Sequence, residues 1–231
     1  MLASTLLGPF YYRTERESFM VDFSKMSEKA REFYRREEAV LQAALKLFLL
    51  HGEDKVTVEM IADEAGIGKG TIYKHFQSKS EIYLTLMIRY EEELAELFQR
   101  IHPEDNADRL ARDYFHFRMQ DPDRYALFDR LEAKCTAEHA VPELMEKLHR
   151  IRVSNTDKLV EIVQARISEG RLADVPPYFH ICAAWALVHG AVALRHSDFY
   201  NRVIEDEKDA FFEFLMDISV RMGNVNRHRK V

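Results

Sequence analysis

Between Ala65 and Ser80 the chain carries Lys69, Lys74 and Lys79 and no acidic residue, with Tyr73 and His75 set among them. Ammonium groups interleaved with a phenol and an imidazole over a few helical turns suit a surface that grips a phosphate backbone. Residues 1–80 hold 12 basic and 12 acidic side chains, so the whole net charge of −6 falls on the remainder. A local basic patch at the front of an acidic body implies contact with a polyanion at one end only.

Other reactive constellations point nowhere. Ten histidines form no His-Glu-x-x-His pair, and Gly-x-Ser-x-Gly and phosphate-loop patterns do not occur. Arg195-His196-Ser197-Asp198 has the letters of a catalytic triad, but adjacent residues at a helix end do not converge. No enzyme, cofactor or metal site is expected. Turnover of a bound ligand would revive the enzymatic reading, and salt-insensitive binding would favour a helical adaptor instead. Cys135 and Cys182 stand far apart and suggest no disulfide framework, which suits the cytoplasm. Met1 to Tyr12 lack the basic start and cleavage site of a signal peptide, and no run of about 18 apolar residues predicts a membrane span.

The elements that position these residues read at helical period almost throughout, so the fold class is all-α. A first helix over about Glu32 to His51 sets Val40, Ala43, Ala44, Leu47 and Phe48 on one face and stops at Gly52. Two short stretches follow, near Val58–Ala65 and Lys69–Phe76. A long helix opens at Ser78, with Glu81 placed to complete a capping box, and runs toward His102-Pro103. Asp121-Pro122, Pro142, Gly170 and Pro176-Pro177 punctuate helices near 105–119, 122–135, 142–169, 177–197 and 206–223. That makes about nine helices, in three parts: a flexible extension over 1–28, a three-helix unit over 29–80, and a larger helical domain over 81–231.

Within the three-helix unit, Ala62 is small where two helices cross, Gly66 suits a turn with positive φ, and Ile72 can plug the angle between the helices. This spacing is a helix-turn-helix pattern. With the segment that follows, it resembles the DNA-binding motif of the TetR/AcrR family. The match runs through Thr57, Ile61-Ala62, Ala65-Gly66, Lys69-Gly70-Thr71-Ile72-Tyr73, His75-Phe76 and Lys79, and is close over residues 40–90. The resemblance implies an N-terminal helix-turn-helix domain, a C-terminal ligand-binding and dimerisation domain, and a repressor that a small effector releases from a palindromic operator. It implies DNA contacts by Thr57, Lys69, Gly70, Thr71, Tyr73, Lys74, His75 and Lys79. Tyr73 and His75 would clamp phosphates, Lys79 would add charge at the next helix's start, and Lys74 would reach a guanine edge. His75 also has the buried, hydrogen-bonded reading open to it. Gly68 departs from the family, whose recognition helix often begins at serine.

For the second domain, polar residues stranded on apolar stripes mark a candidate effector pocket. Asn155 interrupts Leu148, Ile151, Leu159 and Ile162; Arg118 follows Tyr114 and Phe117; His189 lies between Trp185 and Val192. With Phe98 and Phe128 they would line a site for an apolar acyl or aromatic effector, Arg118 being available for a carboxylate. Ordinary core packing is the competing reading of each. The segment 177–197 is apolar nearly all round and must be buried on more than one side. Together with 206–223, it would form a four-helix homodimer interface, Ala184 and Ala191 facing the partner; burial within one chain is the alternative.

Overall fold

A computed structural model of the 231-residue chain describes residues 26–102, 105 and 107–225. Residues 1–25, most of the expected extension, lie outside them, as does Pro103. The described residues contain ten α-helices, one short 3-10 turn and a single isolated bridge, Leu172 to Asn224, with no strand among them. The all-α expectation holds.

Helix α1 (Glu28–His51) starts one turn earlier than its apolar period suggested, because Ser27 caps it by accepting from the Ala30 N–H. It ends at Gly52, whose φ of +81° breaks the helix. Helix α2 (Val58–Glu64) is capped by Thr57, and Gly66 at φ +66° turns the chain into α3 (Lys69–Ile72). Ile67 N–H bonds back to Ala62 O at 3.0 Å and Gly66 N–H to Asp63 O at 3.2 Å, the paired closure that a left-handed glycine permits. Regular helix in α3 covers only four residues, and tighter turns carry it on through His75 and Phe76.

Helix α4 (Lys79–Gln99) opens on Ser78, whose hydroxyl accepts from Glu81 N–H at 3.2 Å. Glu81 reaches back one residue further than a capping box requires, to Gln77 N–H at 2.6 Å. Then come α5 (Ala107–Met119), α6 (Pro122–Glu138), α7 (Pro142–Ser168), α8 (Pro177–Arg195), α9 (Asp198–Val203) and α10 (Lys208–Arg221). Prolines occupy the first turns of α6, α7 and α8, where a missing N–H costs nothing. The short α9 has too few residues to show a period, and sequence reading missed it.

Val40, Phe48, Ile61, Ala62, Ile72 and Phe76 bury a common core where α1 to α3 meet. Each large aliphatic residue there contributes about 1.5–3 kcal/mol. That core continues without a break through Tyr83, Leu86 and Tyr90 of α4 into Leu127, Phe128 and Leu131 of α6. Arg89 of α4 pairs with Glu37 and Glu38 of α1, fixing the angle between the first and fourth helices. A second cluster, Leu94, Phe98, Ile101, Leu110 and Ile162, packs the far end of α4.

Candidate nucleic-acid interface and effector cavity

The surface of α2 and α3 divides by burial. Ile61, Ala62, Ile72 and Phe76 are buried, whereas Thr57, Lys69, Gly70, Tyr73 and Lys74 are exposed and Thr71 is half-buried. Tyr73 is 46 % exposed, a large outlay of aromatic surface for a residue with no core role. No atom lies within 4 Å of where a Cβ would stand on Gly70, so bare backbone faces outward there. Thr57 Oγ1 accepts from Met60 N–H at 3.3 Å, as the capping reading requires. Gly68 gives α3 no side-chain cap.

Three expected contacts change character. Lys69 is paired with Glu59 across the helix-turn-helix, and its ammonium stands 5.9 Å from the Tyr73 ring. The stretch that is free of acids in sequence therefore gains one in space. Glu59 holds the Lys69 pKa above its ordinary value. His75 is half-buried against Phe33 of α1, the ring centroids 4.1 Å apart, and its Nδ1 is buried without a hydrogen-bond partner among the described residues. Burial pushes its pKa down, so the ring is neutral at pH 7 and provides no cationic clamp. Lys79 turns inward: its Nζ donates to Glu53 O at 2.8 Å and Val56 O at 3.0 Å, securing the α1–α2 loop. Burial lowers its pKa as well. Lys74 is left as the exposed cation of this face that has no ion pair among the described residues.

In the second half of the chain, α4, α5, α6, α7, α8 and the end of α10 enclose a cavity of about 240 Å³. Phe98, Tyr114, Arg118, Phe128, Asn155, Trp185 and His189 all line it. Phe117 does not: its ring stacks on Tyr90 at 5.1 Å, behind the wall. Asn155 finds the partner its position demanded, donating to Glu91 O at 3.1 Å. Arg118 is already engaged. Its Nη2 stands 3.6 Å from Glu91 Oε1, and its guanidinium carbon lies 5.0–5.8 Å from the rings of Tyr90, Tyr114, Phe117 and Tyr125. Burial opposes the Arg118 charge, but Tyr114, Glu91 and Tyr90 more than restore it, so its pKa is raised.

At the mouth, Trp185 Nε1 donates to Tyr125 Oη at 3.1 Å, and Tyr125 Oη lies 2.9 Å from His189 Nδ1. Glu91, Arg152 and Tyr125 were missed in sequence. Glu91 sits among charged neighbours on α4, and only folding shows it on the buried side. The letters of the apparent triad part company: His196 Nε2 reaches Asp123 Oδ1 at 2.8 Å, while Ser197 Oγ caps α9 through Tyr200 N–H at 3.5 Å.

Helix α8 is less buried than its composition demands. Val188, Ala191 and Val192 are buried; Cys182, Ala186, Gly190 and Ala193 form an exposed stripe of small residues. Ala191, expected on the outer face, is 1 % exposed, and Ala184 lines the cavity. Helix α10 presents Phe214 at 58 % exposure and Ile218 at 36 %. By length and composition, Pro177–Arg195 is also apolar enough to cross a membrane, a property the unbroken-run criterion overlooked.

A small helix pair with an exposed polar face, set on a helical body enclosing a cavity, defines a DNA-binding regulator of the helix-turn-helix class. Two family profiles agree: "Bacterial regulatory proteins, tetR family" matches residues 40–86, and "Tetracyclin repressor-like, C-terminal domain" matches residues 108–218. The chain belongs to the TetR family of transcriptional regulators. It is 26 % identical over 201 residues to the regulator RutR of Escherichia coli O157:H7, covering 80 % of this chain and 93 % of that one. To the uncharacterized regulator YhgD of Bacillus subtilis it is 26 % identical over 140 residues, 58 % of this chain and 69 % of the relative. A tetR-family regulatory protein from Rhodococcus RHA1 shares the fold, with a TM-score of 0.64, 15 % identity, and coverage of 82 % and 97 %.

Proposed function

We propose that the chain is a cytoplasmic, homodimeric repressor that a small, largely apolar effector releases from a palindromic operator. Residues 29–80 form its DNA-binding domain, and residues 81–231 the effector-binding and dimerisation domain. Thr57, Gly70, Thr71, Tyr73 and Lys74 make the primary contacts, α3 entering the major groove. Lys69 joins them by leaving Glu59, while His75 and Lys79 hold the surface in shape.

One observation carries the release mechanism: two elements that line the cavity also grip the DNA-binding domain. Helix α4 gives Glu91 and Phe98 to the cavity and Lys79 to the α1–α2 loop. Helix α6 gives Tyr125, Phe128 and Asp129 to the cavity, while Arg130 pairs with Glu53 at 3.4 Å and Lys134 with Asp54 on that same loop. A ligand that repositions either helix changes the separation of the two recognition surfaces, provided it binds one arrangement better than the other.

Operator sequences selected from a random duplex pool, followed by a thermal-shift screen of lipids, acyl compounds and aromatics, test this. The expected result is a stabilising compound that weakens binding to the selected duplex and relieves repression of a reporter. A stabilising compound without effect on DNA affinity contradicts release, and a reporter that needs the bound protein for expression contradicts repression.

A further inference from the structure

The end of the cavity nearest the DNA-binding domain is the charged one, with Arg118 and Arg152 set among Glu91, Asp129 and Glu132. Four charges form a chain there: Arg118, Glu91, Arg152 and Glu132. Arg152 is held at both ends, its Nε 3.4 Å from Glu91 Oε1 and its Nη1 on Glu132. Arg118 is not. Its one carboxylate stands 3.6 Å away, beyond hydrogen-bond length, and its Nε is buried with no hydrogen-bond partner. The neighbouring Tyr90 hydroxyl is buried against the same guanidinium, which opposes the upward push of burial on its pKa. Four aromatic rings fix the guanidinium in place, so it cannot swing out to water. Buried polar atoms in this condition are uncommon and call for an explanation.

From this end, the wall turns apolar along α4 and α7. Leu94 and Phe98 follow Glu91 on one face of α4, and Leu159 and Val163 follow Asn155 on α7. Seven residues of helix separate Glu91 from Phe98, a slot of about 10 Å. Leu172, Val220 and Met222 line the far end. There the chain is strapped shut: Ala173 N–H donates to Gly223 O at 2.8 Å, and Val225 N–H to Arg171 O at 3.2 Å. Gly223 has φ +81°, and a Cβ on it would stand 2.5 Å from His180 Nδ1, so the strap lies flat on α8. The other buried arginine on the wall, Arg166, has its pKa lowered by burial and by the nearby Arg171 charge, against the pull of Asp105, Glu169 and Asp108.

We propose that the cavity takes a single-chain carboxylate, its head meeting the Arg118 guanidinium and its tail of about eight carbons lying in the apolar slot. The inference rests on the effector-site reading above. A carboxylate presents two oxygens in the planar geometry that the guanidinium fork matches, which a hydroxyl cannot do. Glu91 then becomes the ligand's competitor for Arg118. An occupied site loosens the tie between α5 and α4.

Calorimetric titration of the full-length protein with octanoate and with octanol tests the assignment. Octanoate is expected to saturate one site per chain and to bind about tenfold more tightly than octanol. Glu91→Gln removes the competitor and should tighten octanoate severalfold relative to octanol, an effect that lost structure would not produce. Arg118→Gln should erase the preference for acid over alcohol. If that variant does not fold by circular dichroism, Glu91→Gln and a series from hexanoate to dodecanoate, peaking near octanoate, carry the test. Equal affinities of the wild type for acid and alcohol, or octanoate binding that Glu91→Gln leaves unchanged, overturn the proposal. Octanoate that binds as expected without altering DNA affinity upholds the ligand class and contradicts effector release. Release by some other compound, with no octanoate binding, does the reverse.

Discussion

The Lys79 ammonium donates to the Glu53 carbonyl at 2.8 Å, and the Tyr83 hydroxyl donates to the same oxygen at 3.3 Å. Glu53 thereby gathers the start of α4 onto the α1–α2 loop, while its own carboxylate holds Arg130 of α6. A lysine that its family motif would place on phosphate acts here as an internal strut. Lys79→Met should cost about 1–3 kcal/mol in urea denaturation, because two carbonyls lose their donor. It should weaken DNA binding without changing the salt dependence. Lys74→Ala should instead leave stability unchanged and reduce the slope of log K against log salt by about 1. The reverse assignment of slopes would restore Lys79 to the DNA contacts.

The uncapped start of α3 offers a gain of stability. Gly68 has an extended backbone at φ −71° and open space around its missing Cβ. Gly68→Ser should stabilise the fold by roughly 0.5–1 kcal/mol, combining a better cap with a less flexible unfolded chain. Ser78→Ala, which removes an existing cap from α4, should cost about 1 kcal/mol. Both read out as shifts in denaturation midpoint at constant slope.

Burial of His75 makes stability pH-dependent in a definite sense. Its folded pKa lies below the ordinary imidazole value, so the unfolded chain takes up the proton first as pH falls. The His75 contribution is complete above the unfolded pKa, about 6.5, and is lost as pH falls through the lower folded value. His75→Gln should flatten the stability profile below that point, measured by denaturation at a series of pH values. A wild type that gains stability on acidification through this range would contradict a buried neutral ring.

In the proposed homodimer, the exposed stripe on α8 would serve as the docking face. Cys182, Ala186, Gly190 and Ala193 leave room for a second helix, and α10 also exposes Phe214 and Ile218. Gly190→Arg should convert a dimer to monomer in sedimentation velocity and abolish binding to a two-half-site duplex. The opposite face of α8 supplies Val188 and Val192 to the chain's own core, so the monomer should remain helical. An unchanged sedimentation coefficient would place the dimer interface elsewhere.

Much of this architecture was legible because it is local. Caps at Thr57, Ser78 and Asp121, turns at Gly52 and Gly66, and prolines opening three helices follow from residue type, and each stands where the sequence set it. Asn155 announced a buried partner by interrupting an apolar stripe, and the Glu91 carbonyl provides it. Side-chain direction across elements was not legible. Nothing in the local pattern says that Glu59 lies against Lys69, that Phe33 covers His75, or that Lys79 points inward. The outer face of α8 was misjudged for the same reason. Its apolar residues run all round, so composition gives no orientation, and packing alone puts Ala191 inside and Gly190 outside.

The central claim is that the exposed α2–α3 face holds DNA. Fluorescence anisotropy with a duplex selected from a random pool, from about 50 to 200 mM salt, tests it most directly. Wild type, Tyr73→Phe and Lys74→Ala should be compared on the selected duplex and on duplexes with single base changes. The account predicts steep salt dependence for the wild type and weaker binding by both variants. It further predicts that the Lys74→Ala protein alone tolerates a changed base at one position of each half-site. Salt-insensitive binding, or wild-type affinity and base preference in both variants, would contradict it.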